Sequence, residues 1–389
     1  MINEQAIALG TNRSVIRDLF DYGNMRAAIV GRENVFDFSI GNPSEPVPEA
    51  VSRAFVEVLQ EDSLSVHGYT SAPGLVETRQ AIADDLNHRY NAGVEADDLF
   101  ISTGASAELA AVIKALVTPG AEFLVIAPYF PEYKPFIEGN GGVMRIVPPD
   151  IPDFQISLEA VEAQLSPNTA AILLNSPCNP TGTVFTAESL ENVKQAILGR
   201  PIFLICDNVY NALSYVNCPD LSLDPQLKDQ TILCQSFSKP WAMTGWRVGY
   251  LTCPDYVMDR LLLLSAAEIT AVPTFLQDAC IAALSTSPKP MADAYAKRRE
   301  YVCRRLDEMG LSYPKPEGAF YVFPDISKYG LTGEEFCTRM IRETKVAAVP
   351  GSCFGCPGHI RISCCCSDSQ LALGLDRMEA FINKLSQGG

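Results

Sequence analysis

The reactive chemistry on offer in this sequence centres on one lysine. Lys239 follows two serines in Ser236-Phe237-Ser238-Lys239-Pro240-Trp241, and Arg247 comes eight residues later, inside Gly245-Trp246-Arg247-Val248-Gly249-Tyr250. A lysine in a mostly uncharged setting can lose its proton near neutral pH and attack a carbonyl carbon. An arginine close by can hold a phosphate through paired hydrogen bonds. The pair therefore suits a phosphate-bearing aldehyde held as a Schiff base. On its own, a lysine ahead of a proline is an ordinary solvated loop residue, so the reading needs support from the rest of the chain.

Other residues could share the task. Asp207 ends the apolar run Ile202-Phe203-Leu204-Ile205-Cys206 and leads into Asn208-Val209-Tyr210. A carboxylate there caps a helix or balances the charge of a protonated ring nitrogen. Asn175-Ser176-Pro177-Cys178-Asn179-Pro180-Thr181-Gly182 has the composition of a polar turn. Thr103-Gly104-Ala105-Ser106 lies where a strand gives way to a helix, a junction whose N–H groups favour an anion, although small residues are common at such junctions. Arg361, between Ile360 and Ile362, is either the exposed side of a strand or a planar clamp for a carboxylate.

Taken as an ordered set, these motifs resemble a known family. Ser-x-Ser-Lys followed by Met-x-Gly-x-Arg-x-Gly-Tyr, at Ser236 to Tyr250, is similar to the lysine box of the class I aminotransferases, which are fold-type I pyridoxal phosphate enzymes. The resemblance runs from Gly41 to Arg361. It implies that Lys239 binds pyridoxal 5'-phosphate, that Asp207 pairs with the ring nitrogen, and that Asn179 and Tyr210 face the phenolic oxygen. It puts Phe130 on the ring face, with the adjacent Tyr129 taking that place if the register shifts by one. A phosphate cup is implied from Gly104, Ala105, Ser106, Ser236, Ser238 and Arg247, with Tyr69 reaching in from the other subunit of a homodimer. Arg361, helped by the N–H of Gly41 and by Asn179, would clamp the substrate α-carboxylate. Cis peptides are implied before Pro180 and before Pro128.

The elements that must position these groups read as an α/β fold. Short apolar runs such as Phe123-Leu124-Val125-Ile126 alternate with helical stretches, as when helices cover both faces of a parallel sheet. The candidates fall at the carboxyl ends of those runs, where such sheets gather ligands. Val35 to Ile40 alternates like a strand, and a helix is expected from Ser14 to Val30, with Ser14 as cap and Ile16, Leu19, Phe20 and Met25 helically spaced. A single helical stretch is read over Tyr256 to Ser285, then a long helix from Pro290 to Gly310. The family resemblance implies a large domain with a mostly parallel seven-stranded sheet and a smaller α+β domain. The expected division is an N-terminal arm over 1–45 that joins the small domain and the dimer interface, a cofactor-binding domain over 46–285, and the small domain over 286–389.

Composition narrows the function classes. With 389 residues, 47% of them hydrophobic and 20% charged, the chain suits a two-domain globular enzyme. The net charge of -16 makes a nucleic-acid partner unfavourable. No apolar run suits a membrane span, and no export signal is visible at Met1, so a cytoplasmic location with reduced thiols is expected for the 13 cysteines. Cys353-x-x-Cys356 has metal-ligand spacing, but no second pair follows it, and no metal is expected. Cys353, Cys356, Cys364, Cys365 and Cys366 read as small buried side chains.

The expected reaction is ping-pong transfer of an amino group from an L-amino acid to a 2-oxo acid. A carbon–sulfur β-lyase would use much the same residues and is the alternative; a non-catalytic cofactor-binding regulator is a remoter one. Ser265-Ala266-Ala267-Glu268-Ile269-Thr270 falls where some family members read the substrate side chain, and it supplies Glu268 rather than a base. That weighs against an aspartate-specific enzyme.

Overall fold

The structure, a computed structural model, describes residues 15–61 and 63–387. In chain order its strands are β1 (Phe36–Asp37), β2 (Leu99–Ser102), β3 (Glu122–Ile126), β4 (Val143–Val147), β5 (Thr169–Asn175), β6 (Phe203–Asp207), β7 (Thr231–Ser236), β8 (Gly249–Thr252), β9 (Tyr321–Val322), β10 (Val346–Ala347), β11 (Val349–Pro350) and β12 (Ile360–Ser363). β2 to β8 make one seven-stranded sheet in the order β2-β8-β7-β6-β5-β3-β4. Only β8 runs against its neighbours, β2 and β7; the other pairings are parallel.

The side-chain period of two explains why these strands read as continuous apolar runs. Phe123, Val125, Ala171 and Leu173 pack into a cluster on one face of the sheet. Leu124, Ile126, Ile172 and Leu174 pack into another on the opposite face. Both faces are dry, so neither needs polar residues. Because β2 is antiparallel to β8, and β8 to β7, β2 points the same way as β7. The carboxyl ends of β2, β3, β5, β6 and β7 therefore share one edge of the sheet.

A second body of structure covers that edge. β11, β12 and β9 form an antiparallel sheet, and β1 pairs in parallel with β10 through Phe36↔Val346 and Asp37↔Ala347. Leu19, Phe36 and Phe38 are buried in one cluster with Met291, Tyr295, Leu306, Phe336 and Phe381. Leu19, Phe36 and Phe38 thus fasten the segment that carries them to the C-terminal third of the chain.

Several expectations need correction. The strand read over Val35 to Ile40 stops at Asp37, because the Asp37 carboxylate accepts from the Ser39 N–H at 2.9 Å and from the Ser39 hydroxyl at 2.6 Å. This local turn takes the backbone out of the ladder. The stretch read as one helix from Tyr256 to Ser285 is two, Asp255–Glu268 and Thr274–Leu284. Pro273 sits at the break, where its ring would clash with a continuous helix. Helix Val15–Val30 forms with Leu19 buried, whereas Met25 is 52% exposed; the proposed cap Ser14 lies outside the described residues.

No disulfide joins the cysteines among the described residues; Cys356 and Cys364 are buried in apolar clusters, whereas Cys353, Cys365 and Cys366, also expected to be buried, are half-buried. Among the described residues no group of three or more His, Cys, Asp or Glu could hold a metal, and no helix is long and apolar enough to cross a membrane.

Gly374, inside helix Asp368–Ser386, decides how closely that helix approaches the β1 segment. A Cβ there would overlap the buried ring of Phe38 and lie 3.0 Å from Phe36 Cβ. On an open helix face, alanine outranks glycine by about 1 kcal/mol. Here the crowding reverses the sign, and Gly374→Ala destabilises by roughly 1–3 kcal/mol. A lower urea midpoint at unchanged slope would register this; a raised midpoint would mean that the Phe38 ring yields freely.

Candidate active site

The shared strand edge opens into a cavity of about 330 Å³ between the two bodies. It brings together Gly41, Ala105, Ser106, Phe130, Asn179, Asp207, Tyr210, Ser236, Ser238, Lys239, Arg247 and Arg361. Asn179 follows β5, Asp207 ends β6, Ser236 ends β7, and Arg361 lies on β12. Lys239 comes three residues after the end of β7, and the loop that carries it is pinned by buried Phe237, Trp241 and Met243. The sheet edge supplies one wall, and the segment after β1 with β12 supplies the other.

Lys239 Nζ donates to the Gly41 carbonyl at 2.7 Å. Withdrawal from water pushes its pKa down to about 8; the thiol of Cys365 opposes the fall, while Arg361 and Arg247 add to it. Asp207 lies deeper. Burial pushes its carboxyl up to about 6, against hydrogen bonds from Tyr133 and the Val209 N–H and the charge of Lys239. The Tyr133 hydroxyl donates to Asp207 Oδ2 at 2.6 Å, and Oδ1 has no partner among the described residues. An orphaned buried oxygen costs about 1–3 kcal/mol and calls for an explanation. A protonated ring nitrogen would satisfy it.

The anion-binding end is built from backbone and short side chains. Gly104 has φ 92 and immediately precedes helix Ala105–Leu116, whose first residues, Ala105 and Ser106, line the cavity. A Cβ at Gly104 would stand 2.8 Å from Arg247 Nη2, so glycine lets the guanidinium close over the turn. Arg247 is itself left-handed, with φ 56, and donates to the Thr244 carbonyl at 3.0 Å. Ser236 Oγ donates to Ser238 Oγ at 2.7 Å, which prearranges two hydroxyls beside it. Helix dipole, free N–H groups and guanidinium all favour a phosphate there. Glu108 on the same helix is fully buried and accepts from Ser102; burial pushes its carboxyl well up, which favours the uncharged acid.

Arg361 is 6% exposed. Its Nη1 donates to Asn179 Oδ1 at 2.8 Å and its Nη2 to the Ser39 carbonyl at 2.6 Å, while Nε is unpartnered among the described residues. The guanidinium lies 4.5 Å from the centre of the Tyr321 ring. Asn179 is held in turn by Asn175 Oδ1, which accepts from its N–H at 2.8 Å. A Cβ at Gly41 would overlap the Tyr321 hydroxyl, which itself lies 3.0 Å from that of Tyr210.

Phe130, not Tyr129, lines the cavity, as Tyr129 packs toward Gly355. Tyr69 does not reach the cavity of its own chain and is 94% exposed. Glu268 is turned away and pairs with Lys114. The peptide before Pro180 is not cis; the cis bonds are Ala127-Pro128, Ile151-Pro152 and Ser176-Pro177. In this motif the asparagine turn closes through Cys178 N–H to the Thr183 carbonyl and Gly182 N–H to the Cys178 carbonyl. Sequence reasoning missed Tyr133, Tyr321, Asn175, Thr244 and Glu132. Tyr133 and Asp207 are 74 residues apart, and no local pattern announces their hydrogen bond.

The residues present fit a planar, phosphate-bearing ring with a basic nitrogen: the orphaned Asp207 oxygen, the glycine cradle under Arg247 and the Phe130 ring supply its three requirements. Proteins similar to this chain are known. The family model "Aminotransferase class I and II" matches residues 33–378. An aspartate aminotransferase of Thermotoga maritima is 35% identical over 362 residues, 92% of this chain and 94% of the relative. An aromatic-amino-acid aminotransferase of Thermococcus litoralis is 33% identical over 387 residues, 96% of each chain. The crystal structure of the Thermotoga maritima aspartate aminotransferase superposes with a TM-score of 0.91 at 33% identity, covering 98% of this chain and 100% of that one.

The raised Asp207 pKa has a consequence for the protein without ligand. Between the unfolded carboxylate value, near 4, and about 6, the folded state binds more protons than the unfolded one. This residue's contribution to stability therefore falls as pH rises through that window. An asparagine side chain does not titrate, so Asp207→Asn gains stability relative to the wild type between pH 4 and pH 7, by at most about 3 kcal/mol. Urea unfolding of both proteins across that range tests this; a difference that does not change with pH would contradict it.

Proposed function

Because the chain belongs to the class I and II aminotransferase family, we propose that it moves the amino group of an L-amino acid to a 2-oxo acid using pyridoxal 5'-phosphate held by Lys239. The observation that carries this reading is the convergence on one cavity of a buried amine with pKa about 8 and a buried carboxylate with one free oxygen. When bound, the cofactor supplies an aldehyde for amine exchange and a cationic ring that accepts the electron pair left at Cα.

The chain's own residues supply the rest. Arg247, Ser236, Ser238 and the start of helix Ala105–Leu116 hold the phosphate. Phe130 covers the ring, and Asp207 keeps its nitrogen protonated, itself oriented by Tyr133. Tyr210 and Asn179 face the phenolic oxygen. Arg361 takes the α-carboxylate as a planar two-point contact, freeing Asn179 and the Ser39 carbonyl to adjust around it. Lys239, released from covalent attachment by the incoming amine, takes the proton from Cα and returns it on the other side of the reaction. An amine with pKa about 8 can play both parts near neutral pH. Enclosure by the two bodies limits water access during this transfer.

The active protein is proposed to be a homodimer. Tyr69 is 94% exposed and lies outside the cavity of its own chain, so its ring is available to a second copy. Tyr69 would reach the phosphate of the partner's cavity. Carbon–sulfur β-elimination would need the same cavity, but family membership favours transfer.

A spectral titration tests the reading. Protein loaded with pyridoxal phosphate should lose its visible band when a suitable amino acid is added and regain it with a 2-oxo acid, in ping-pong order. Lys239→Ala should lower turnover by at least about 10³-fold, because the proton-moving group and the covalent anchor are both gone. Ammonia and a 2-oxo acid formed without an acceptor would point to elimination instead, and near-normal turnover of Lys239→Ala would refute the role of the lysine.

A further inference from the structure

The charged residues that line the cavity are unequally committed. Lys239, Arg247 and Arg361 each have a task in the proposed reaction, and Asp207 is spent on the floor of the cavity. One charged side chain remains, Glu132, which is exposed and lines the same cavity. It precedes helix Tyr133–Glu138 as the N-cap residue, yet its side chain makes no capping hydrogen bond. The neighbouring Lys134 is committed to Glu138 at 2.5 Å. Among the described residues the Glu132 carboxylate has neither a hydrogen-bond nor an ion-pair partner, so no structural duty accounts for it.

Its position gives it a role. A substrate held by Arg361, with its amine toward Lys239, has both of those groups against side chains that are buried or half-buried. Glu132 lines the same cavity from an exposed position next to Pro131, so a substrate side chain that points away from Lys239 and Arg361 can meet it. An acidic side chain would meet this carboxylate with no uncommitted cation on this chain to offset it. A side chain ending in an ammonium would find a partner. The protein's net charge of -16 acts in the same direction, attracting cations and repelling dianions.

The geometry points to Glu132 as a specificity-determining residue that favours amino donors with a cationic side-chain end, of the ω-ammonium class, over dicarboxylic donors. This rests on the transamination reading above. The Glu132 side chain has no hydrogen bond or ion pair among the described residues, so Glu132→Gln removes the charge while keeping the side chain's size.

The test uses the protein loaded with pyridoxal phosphate. Single-turnover spectra are recorded with L-ornithine, L-lysine, L-aspartate and L-glutamate for the wild type, Glu132→Gln and Glu132→Lys. The wild type should prefer the first two. Glu132→Gln should lower kcat/KM for them by about five-fold, the scale of a solvent-exposed ion pair, and Glu132→Lys should reverse the preference. Binding of two non-reacting probes, 6-aminohexanoate and succinate, read from the cofactor band, should follow the same order without turnover. A wild-type preference for aspartate, or a ratio unchanged in Glu132→Gln, overturns the proposal and leaves transamination standing. A change of oligomeric mass in Glu132→Gln with the ratio unchanged also overturns it, by assigning the carboxylate to an interface. A band that answers no amino acid in the wild type removes the transamination reading and this proposal with it.

Discussion

The structure depends on keeping one lysine amine out of water without giving it a carboxylate partner. Lys239 Nζ is tied to a backbone carbonyl, that of Gly41, at 2.7 Å. A carbonyl holds the amine in place without the full charge that would lock on its proton. Desolvation lowers the pKa, and two guanidinium groups lower it further. Much of the surrounding architecture serves that arrangement. Gly41 comes from the segment that follows β1, and β1 is fastened by its pairing with β10. Phe36 and Phe38 anchor that segment in the cluster built from the last third of the chain. The amine's environment is therefore assembled from residues nearly two hundred positions apart.

Enclosing such a site concentrates buried polar groups, and the sheet edge makes this tolerable. Parallel strands ending side by side place short polar residues together, each close to backbone that can hold it. Asn175 shows how. It donates to the Asp207 carbonyl at 2.8 Å and accepts from the Asn179 N–H at 2.8 Å, linking the ends of β5 and β6 through one side chain. Tyr133 performs a similar service for Asp207 from outside the sheet. What stays unsatisfied is informative: Asp207 Oδ1 and Arg361 Nε are the cavity-lining residues' buried polar atoms without partners among the described residues. A group left in this condition calls for an explanation, and inside a cavity a ligand supplies one.

Much of this was legible in the sequence because it is local. The lysine box, the asparagine turn and the Asp207 strand end are contiguous strings whose chemistry survives without knowledge of the fold. The parallel sheet was legible from its apolar runs. What escaped was set by pairing at a distance. Tyr133 is a plain tyrosine until Asp207 is folded beside it, and Tyr321 meets Tyr210 only after β9 is brought to the turn that follows β6. The short reach of β1 was hidden because Val35 to Ile40 alternates correctly, while the Asp37 side chain, by bonding to Ser39, ends the ladder early. The proline motif shows a finer limit: the cis bond expected before Pro180 lies before Pro177 instead.

The most direct measurement of the central claim is the site of covalent attachment. The protein loaded with pyridoxal phosphate is reduced with borohydride, digested, and mapped by mass spectrometry. A Schiff base at a single buried amine predicts one modified peptide, carrying the phosphopyridoxyl group on Lys239 and nowhere else in stoichiometric amount. A label spread over several exposed lysines, or fixed on a different one, would contradict the account, because the low-pKa amine that shares its cavity with Arg247 and Arg361 would then not be the reactive group.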